Sequence, residues 1–260
     1  MTKSETPAKA TRLKAIIAEK LAIRILDGTY PPGVPIPSEA TLLAEMKVSR
    51  TCLREALQNL AAKGLVSSRP KLGTIVRPSL EWNFLDADLL RWRQQVVDRK
   101  TFLLELFAVR RMIEPETAAL AALNVTPEIV TQLEKTVMAM ARGNGERTET
   151  TTEADVAFHR LLLAASGNAM LSGLGACIEE ALRASISVTS QPEVGSKFAL
   201  DKHVDVFEAV RDGDSEAARR HMSALLDMTW DCLIKAGVAL PGAAAATPRR
   251  RRTPAAAPVA

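Results

Sequence analysis

Histidine is scarce in this 260-residue chain, with three copies against 34 Lys+Arg and 30 Asp+Glu. Tyrosine occurs once, and aromatics make up only 4% of a chain whose hydrophobic fraction is 47%. So few aromatics argue against a β-sandwich and favour Leu- and Ala-rich helix packing. Three cysteines, Cys52, Cys177 and Cys232, are scattered, odd in number and free of any C-x-x-C pair. They read as buried thiols of a reducing cytoplasm rather than as a disulfide framework. No hydrophobic run approaches a membrane span, and the start MTKSETPAKA lacks an apolar signal core. The expectation is a cytoplasmic protein with no membrane partner.

What is present is distributed unevenly. Residues 1–80 hold 13 Lys+Arg against 6 Asp+Glu, whereas residues 81–240 hold 17 against 24. A basic head on an acidic body fits a polyanion-binding module joined to a sensing or oligomerising domain. The length suits two domains. The organisation expected is a disordered start over 1–11, a head over 12–78, a connecting element over 79–98, a helical domain over 99–238, and a disordered Ala/Pro/Arg tail over 239–260.

All three histidines fall in helical patterns of the acidic half: EADVAFH with His159, DKHVDVFEAV with His203 and ARRHMSALL with His221. Asp155 stands one turn before His159, so the two share a helix face and can chelate one ion together. Imidazoles from two neighbouring helices would complete an N3O set suited to zinc, nickel or manganese. Spacing alone leaves open the alternative of three unrelated polar residues.

In the head, RLKAIIAEKLAIRILD places Leu13, Ile16, Ile17, Leu21 and Ile25 along one stripe of an amphipathic helix. The Pro/Gly-rich GTYPPGVPIP cannot continue it. Ser38 caps a short helix, Lys47-Val48 turns, and Ser49 caps a third helix that stops at Gly64. Leu53, Ala56, Leu57 and Leu60 face inward there, leaving Arg50, Thr51 and Arg54 outward. LVSSRPKLGTIV follows as two short strands around a Pro-Lys-Leu-Gly tip. This order describes a winged helix-turn-helix, whose third helix meets base edges in the major groove. Arg50 and Arg54 suit guanine, Ser49 and Thr51 suit phosphate, and Lys71 and Gly73 could approach the backbone or minor groove.

The run from P-S-E through V-S-R-T and L-R-E-A-L to G-T-x-V resembles the DNA-binding domain of GntR-family bacterial transcription regulators. That resemblance implies that Arg50 and Arg54 read bases while Ser49, Thr51 and the wing from Lys71 through Gly73 to Thr74 hold the backbone. Ala40 departs from the pattern, since many members carry a basic residue there. In SLEWNFLDADLLRWRQQ, the tryptophans and leucines argue against a flexible linker and for a docked element tying head to body. Beyond it, six or so helical patterns with short turns predict an all-α bundle, the first interrupted at Pro115. The fold class expected is therefore mainly α, a winged helix-turn-helix followed by a helical bundle.

The elements V-R-x-x-I-E-P-x-x-A, D-x-x-F-H, S-G-N and H-x-x-x-F-x-A-V resemble the ligand-binding domain of the FadR subfamily. In its metal-containing branch, the implied ligands are Asp155, His159, His203 and His221, with zinc first and nickel or manganese as alternatives. An acyl-CoA effector is disfavoured, because that branch lacks the full ligand set. A small carboxylate effector is implied, with Arg110 as its partner and Asn168 and Arg183 as further candidates. WNFLDADLLRW is similar to regulators that respond to sugar acids. The function implied is a homodimeric, palindrome-binding transcription regulator of repressor type and not an enzyme. The alternative is a metal-dependent hydrolase with an accessory nucleic-acid-binding domain, but no H-E-x-x-H or comparable signature accompanies it.

Overall fold

In the computed structural model, residues 7–143, 146, 148–189 and 200–238 are described. The expected disorder of residues 1–6 and 239–260 lies outside them. Two compact units divide the chain, Met1–Arg99 and Lys100–Ala260.

The first unit opens with α1 (Pro7–Leu26), followed by α2 (Glu39–Met46) and α3 (Arg50–Ala62). Residues 7–11, expected to be disordered, belong to the helix. Leu21 and Ile25 are buried from α1, together with Leu42 of α2 and Leu53 and Leu60 of α3. Ile16 departs from the predicted stripe and is 39% exposed, while Ala18 and Ala22 are buried instead. The Ser38 and Ser49 hydroxyls accept from the Thr41 and Cys52 backbone amides, so each caps its helix. Between α2 and α3 the chain reverses through Lys47, whose φ of 54° puts it in the left-handed region.

Strands β1 (Val66–Arg69) and β2 (Gly73–Val76) pair antiparallel, with Arg69 opposite Gly73. The Pro/Gly loop extends this wing: Pro35 bridges Ile75, and the Ile36 amide donates to the Thr74 carbonyl. The segment after the wing then folds back on the head through a 3-10 turn (Ser79–Glu81) and α4 (Ala87–Val96). Leu89 and Trp92 enter the same core as Leu21 and Leu60. The Lys63 ammonium is nearly buried, 2.7 Å from Asp86 and 2.8 Å from Asp88. The segment expected to tie head to body is thus part of the head's own core.

The second unit begins within α5 (Arg99–Leu123). It holds α6 (Pro127–Ala141), α7 (Glu149–Ala165), a single turn α8 (Ala169–Ser172), α9 (Gly175–Thr189), α10 (Leu200–Arg211) and α11 (Ser215–Lys235). Helix α5 runs through Pro115, where an interruption was expected. Phe102, Leu103, Phe107, Ala118 and Ala119, buried on both sides of the proline, anchor the helix across the missing hydrogen bond. Helix α7 lies between α6 and α9, and α10 packs on α6 and α11. Val156, Leu163, Ile178, Leu182 and Ile186 zip α7 to α9. Of the predicted turns, TSQPEVG falls almost wholly outside the described residues, and GNGERT partly so. Among the described residues, no helix is long and apolar enough to cross a membrane.

Candidate DNA interface and metal centre

The N-terminus of α3 carries the expected DNA-facing groups. Arg50, Thr51 and Arg54 are exposed. Arg54 Nε lies 3.3 Å from both carboxylate oxygens of Glu39, and its side chain stays 60% exposed. Such a surface pair is worth little, so the guanidinium remains available to a stronger partner. The Ser49 hydroxyl is engaged as the helix cap, which fixes where the first turn of α3 points. At the wing tip, Lys71 has φ 65° and is exposed beside Gly73 and the half-buried Thr74.

The second unit buries a cluster of donors. Asp155 and His159, one turn apart on α7, converge with His203 of α10, and all three are at most 3% exposed. Asp155 Oδ1 lies 3.3 Å from His159 Nε2 and 3.2 Å from His203 Nε2. A divalent ion about 2.0–2.2 Å from its donors sets neighbouring ligand atoms roughly 3.0–3.6 Å apart. The cluster could therefore hold a metal ion with little movement. Phe158 packs edge-on against both imidazoles and fixes their planes.

Behind the donors stands an acid, Glu114, that is absent from the expected site. Glu114 of α5 is buried and accepts from Arg110 Nε at 2.6 Å and Nη2 at 3.3 Å. Its other side meets His159, with Oε2 2.7 Å from Nδ1. That contact is off the ring N–H direction, so Nδ1 gains a charge contact rather than an aligned hydrogen bond. A carboxylate beside Nδ1 favours a proton on that nitrogen, which leaves Nε2 to face the cluster. The signal was present, because Arg110 and Glu114 stand four apart within V-R-x-x-I-E-P.

Burial alone would raise both carboxyls. His203 and His159 nevertheless hold Asp155 well below the usual range, and Arg110 and His159 bring Glu114 down to about 2. His159 is raised, because Glu114 and Asp155 outweigh the effect of its burial. Two buried carboxylates face one guanidinium, and a proton on His159 supplies the second positive charge. A cation held by the imidazoles would displace that proton and take over its role.

The cleft beside the cluster is lined by Arg110, Asp155, His159 and His203, with side chains of α9 and α11. It measures about 20 Å³, enough for one ordered water. Three expected site residues lie elsewhere. His221 is half-buried, and its Nδ1 is 4.0 Å from Asp205 rather than in the cluster. Asn168 is exposed, and its side-chain oxygen caps α8. Arg183 pairs with Glu153 and Glu179 on the outer side of α7 and α9.

A winged helix-turn-helix with an exposed basic recognition helix, followed by a separate helical unit, defines a two-unit DNA-binding protein. Residues 13–76 match the model of bacterial regulatory proteins of the gntR family, and residues 105–228 match the FCD domain. The Escherichia coli (strain K12) HTH-type transcriptional regulator YieP is 34% identical over 221 residues, covering 84% of this chain and 94% of YieP. The galactonate operon transcriptional repressor of the same organism is 32% identical over 201 residues, 77% of this chain and 87% of the repressor. The solved structure of Listeria monocytogenes Lar shares the fold, with a TM-score of 0.59 at 20% identity over 91% of this chain and 99% of that one. This chain belongs to the GntR family of transcription regulators, in the group that carries an FCD domain.

Proposed function

We propose that the protein is a cytoplasmic, homodimeric repressor whose operator binding is altered by a small organic acid at a metal ion in the FCD domain. Two copies present two α3 helices, and a two-fold pair of readers calls for a palindromic site. Arg50 and Arg54 read bases, while Ser49, Thr51 and the wing residues Lys71, Gly73 and Thr74 set the backbone register. Asp155, His159 and His203 hold the divalent ion, zinc first, with nickel or manganese as alternatives. When bound, that ion supplies a Lewis-acidic centre for an anionic oxygen ligand.

The observation that carries this reading is the buried Asp155–His159–His203 cluster beside a cleft bordered by Arg110. Glu114 takes two of the five N–H donors of Arg110, leaving others for a carboxylate. A sugar acid is the effector class favoured by the likeness to the galactonate operon repressor. Such a molecule exceeds the cleft, so binding must spread the surrounding helices. A ligand that requires an altered bundle has the differential affinity for two states that regulation needs.

The test uses a duplex selected in vitro from a random pool. Fluorescence anisotropy follows its binding by the metal-loaded protein as galactonate and gluconate are titrated, before and after chelation. Release of the duplex by an aldonate, abolished by chelation and by His203→Ala, is the expected result. Operator binding indifferent to aldonates at millimolar concentration, with metal bound, overturns the sugar-acid reading.

A further inference from the structure

Resting on the homodimeric reading above, we infer that two copies meet through the outer face of α7, packed antiparallel on its counterpart about a dyad at Ala157. Glu153, Ala157, Arg160, Leu161 and Ala164 fall on one stripe of that helix. Glu153, Arg160 and Ala164 are exposed and the other two are half-buried, whereas Val156, Phe158, Leu162 and Leu163 of the same helix are buried within the unit. The uncharged part of the stripe is therefore apolar, and alanine at 157 and 164 lets a second helix approach closely.

The charges along the stripe form a checkerboard with α9. Arg183 of α9 donates to Glu153 from Nη1 at 2.6 Å and from Nη2 at 2.9 Å. The neighbouring rung has the opposite sense, since Arg160 of α7 donates to Glu179 of α9 at 3.1 Å. Arg183 Nε, 3.2 Å from Glu179, joins the two rungs. The α9 members are the more covered, while the Glu153 and Arg160 side chains stay 54% and 59% exposed. Those two stand about 10.5 Å apart along the helix axis, with Ala157 near the midpoint. A two-fold axis crossing α7 there reverses the helix, so Glu153 of each copy comes over Arg160 of the other. The same rotation sets Glu179 against Arg183. Had both rungs the same sense, it would set acid on acid. Exposed pairs of this kind add little affinity but fix register and exclude other pairings, while burial of the apolar stripe supplies the attraction.

Sedimentation velocity of the full chain, from nanomolar to micromolar concentration, tests this. Arg160→Glu and Glu153→Arg each set like charges face to face, twice per dimer, and each is expected to weaken dimerisation at least about tenfold. Mixed together they restore unlike charges at both crossings, so a dimer with one copy of each should recover most of that loss. Ala157→Cys, which the dyad places opposite itself, is expected to form a disulfide-linked dimer in diamide at least about tenfold faster than Met170→Cys, at an exposed position on α8. The native cysteines are buried and stay out of that reaction. Dimerisation of wild-type strength in both charge variants overturns the inference and leaves the stripe to another partner. Linking of Ala157→Cys no faster than that of Met170→Cys also overturns it, and that result requires neither charge variant to fold. A wild-type chain that sediments as a monomer throughout strikes at the homodimeric reading itself, a distinguishable outcome.

Discussion

Arg54→Ala isolates what a single base-reading arginine contributes. In the free protein the side chain is 60% exposed and tied only to Glu39 at 3.3 Å. An exposed pair of this kind is worth about 0.2–1 kcal/mol, and alanine in a helix interior regains a few tenths, so stability should stay within about 0.5 kcal/mol of wild type. On DNA, a bidentate arginine–guanine contact discriminates by about 1–3 kcal/mol. That corresponds to a loss of about 5- to 150-fold on the selected duplex. Anisotropy titrations on the selected duplex and on a scrambled one, each at several salt concentrations, separate the alternatives. A base reader loses affinity for the selected duplex and much less for the scrambled one, with the salt slope unchanged. A phosphate contact loses equally on both, and the slope of log K against log salt falls by about 0.9. Equal loss on both duplexes with that fall would refute the assignment of Arg54 to a base, and no loss on either would remove it from the interface.

Two further predictions concern the docking of the segment that follows the wing. At Gly64 φ is 77°, and a Cβ there would lie 2.2 Å from the Glu81 carbonyl oxygen, so Gly64→Ala meets strain and a backbone clash together. At Gly33 φ is 84° with nothing within 4 Å, so Gly33→Ala meets the strain alone. Left-handed backbone costs about 1–2 kcal/mol in an L-residue, and Gly64→Ala should lose clearly more than Gly33→Ala in urea unfolding followed by tryptophan fluorescence. Equal losses would refute the docking of Glu81 over Gly64.

Lys63→Met tests the buried ion trio through pH. Burial alone would lower the Lys63 ammonium and raise Asp88, but their mutual pairing, with Asp86 and Arg91, moves each the other way. The lysine contribution is fully present below its ordinary value of 10.5 and is lost as pH rises through the higher folded value. The Asp88 contribution is present above its ordinary 3.8 and is lost as pH falls through the lower folded value. The stability difference between wild type and Lys63→Met should therefore be flat between these limits and shrink outside them. Its plateau should be about 1–2 kcal/mol, below a fully buried pair because both aspartates retain solvent. A difference that varies steeply near neutral pH would contradict this.

The head was largely legible, because its signals are local. Ser38 and Ser49 as caps, Lys47 at the turn and the Pro-Lys-Leu-Gly tip act within four residues of themselves, and each structural role follows from spacing. Where the head misled, a longer range decided. Ile16 fits the helical stripe, yet the core is filled by Ala18 and Ala22, where close approach of a neighbouring helix favours small residues. The segment 79–98 showed that its tryptophans and leucines must be buried, but not against which unit. Lys63 decides that, since its buried charge requires Asp86 and Asp88 beside it.

In the sensing unit, legibility fell with the number of helices a feature spans. Asp155 and His159 lie one turn apart on α7, so their pairing follows from the period of the helix. His203 joins them because α10 lies in the right place and rotation, which periodicity indicates through its buried Val206 and Phe207. His221 is the expected ligand that the helix positions do not bring beside the other three. Its position on α11 is one turn from Leu225, and both belong to one helical stripe. Which turn of that stripe comes level with Asp155 depends on how far α11 slides along its neighbours. One turn is a slide of about 5.4 Å, and it leaves the hydrophobic pattern nearly unchanged. The sequence therefore constrains the rotation of α11 tightly and its height weakly. At the height observed, a leucine faces the donors and the histidine faces solvent and Asp205.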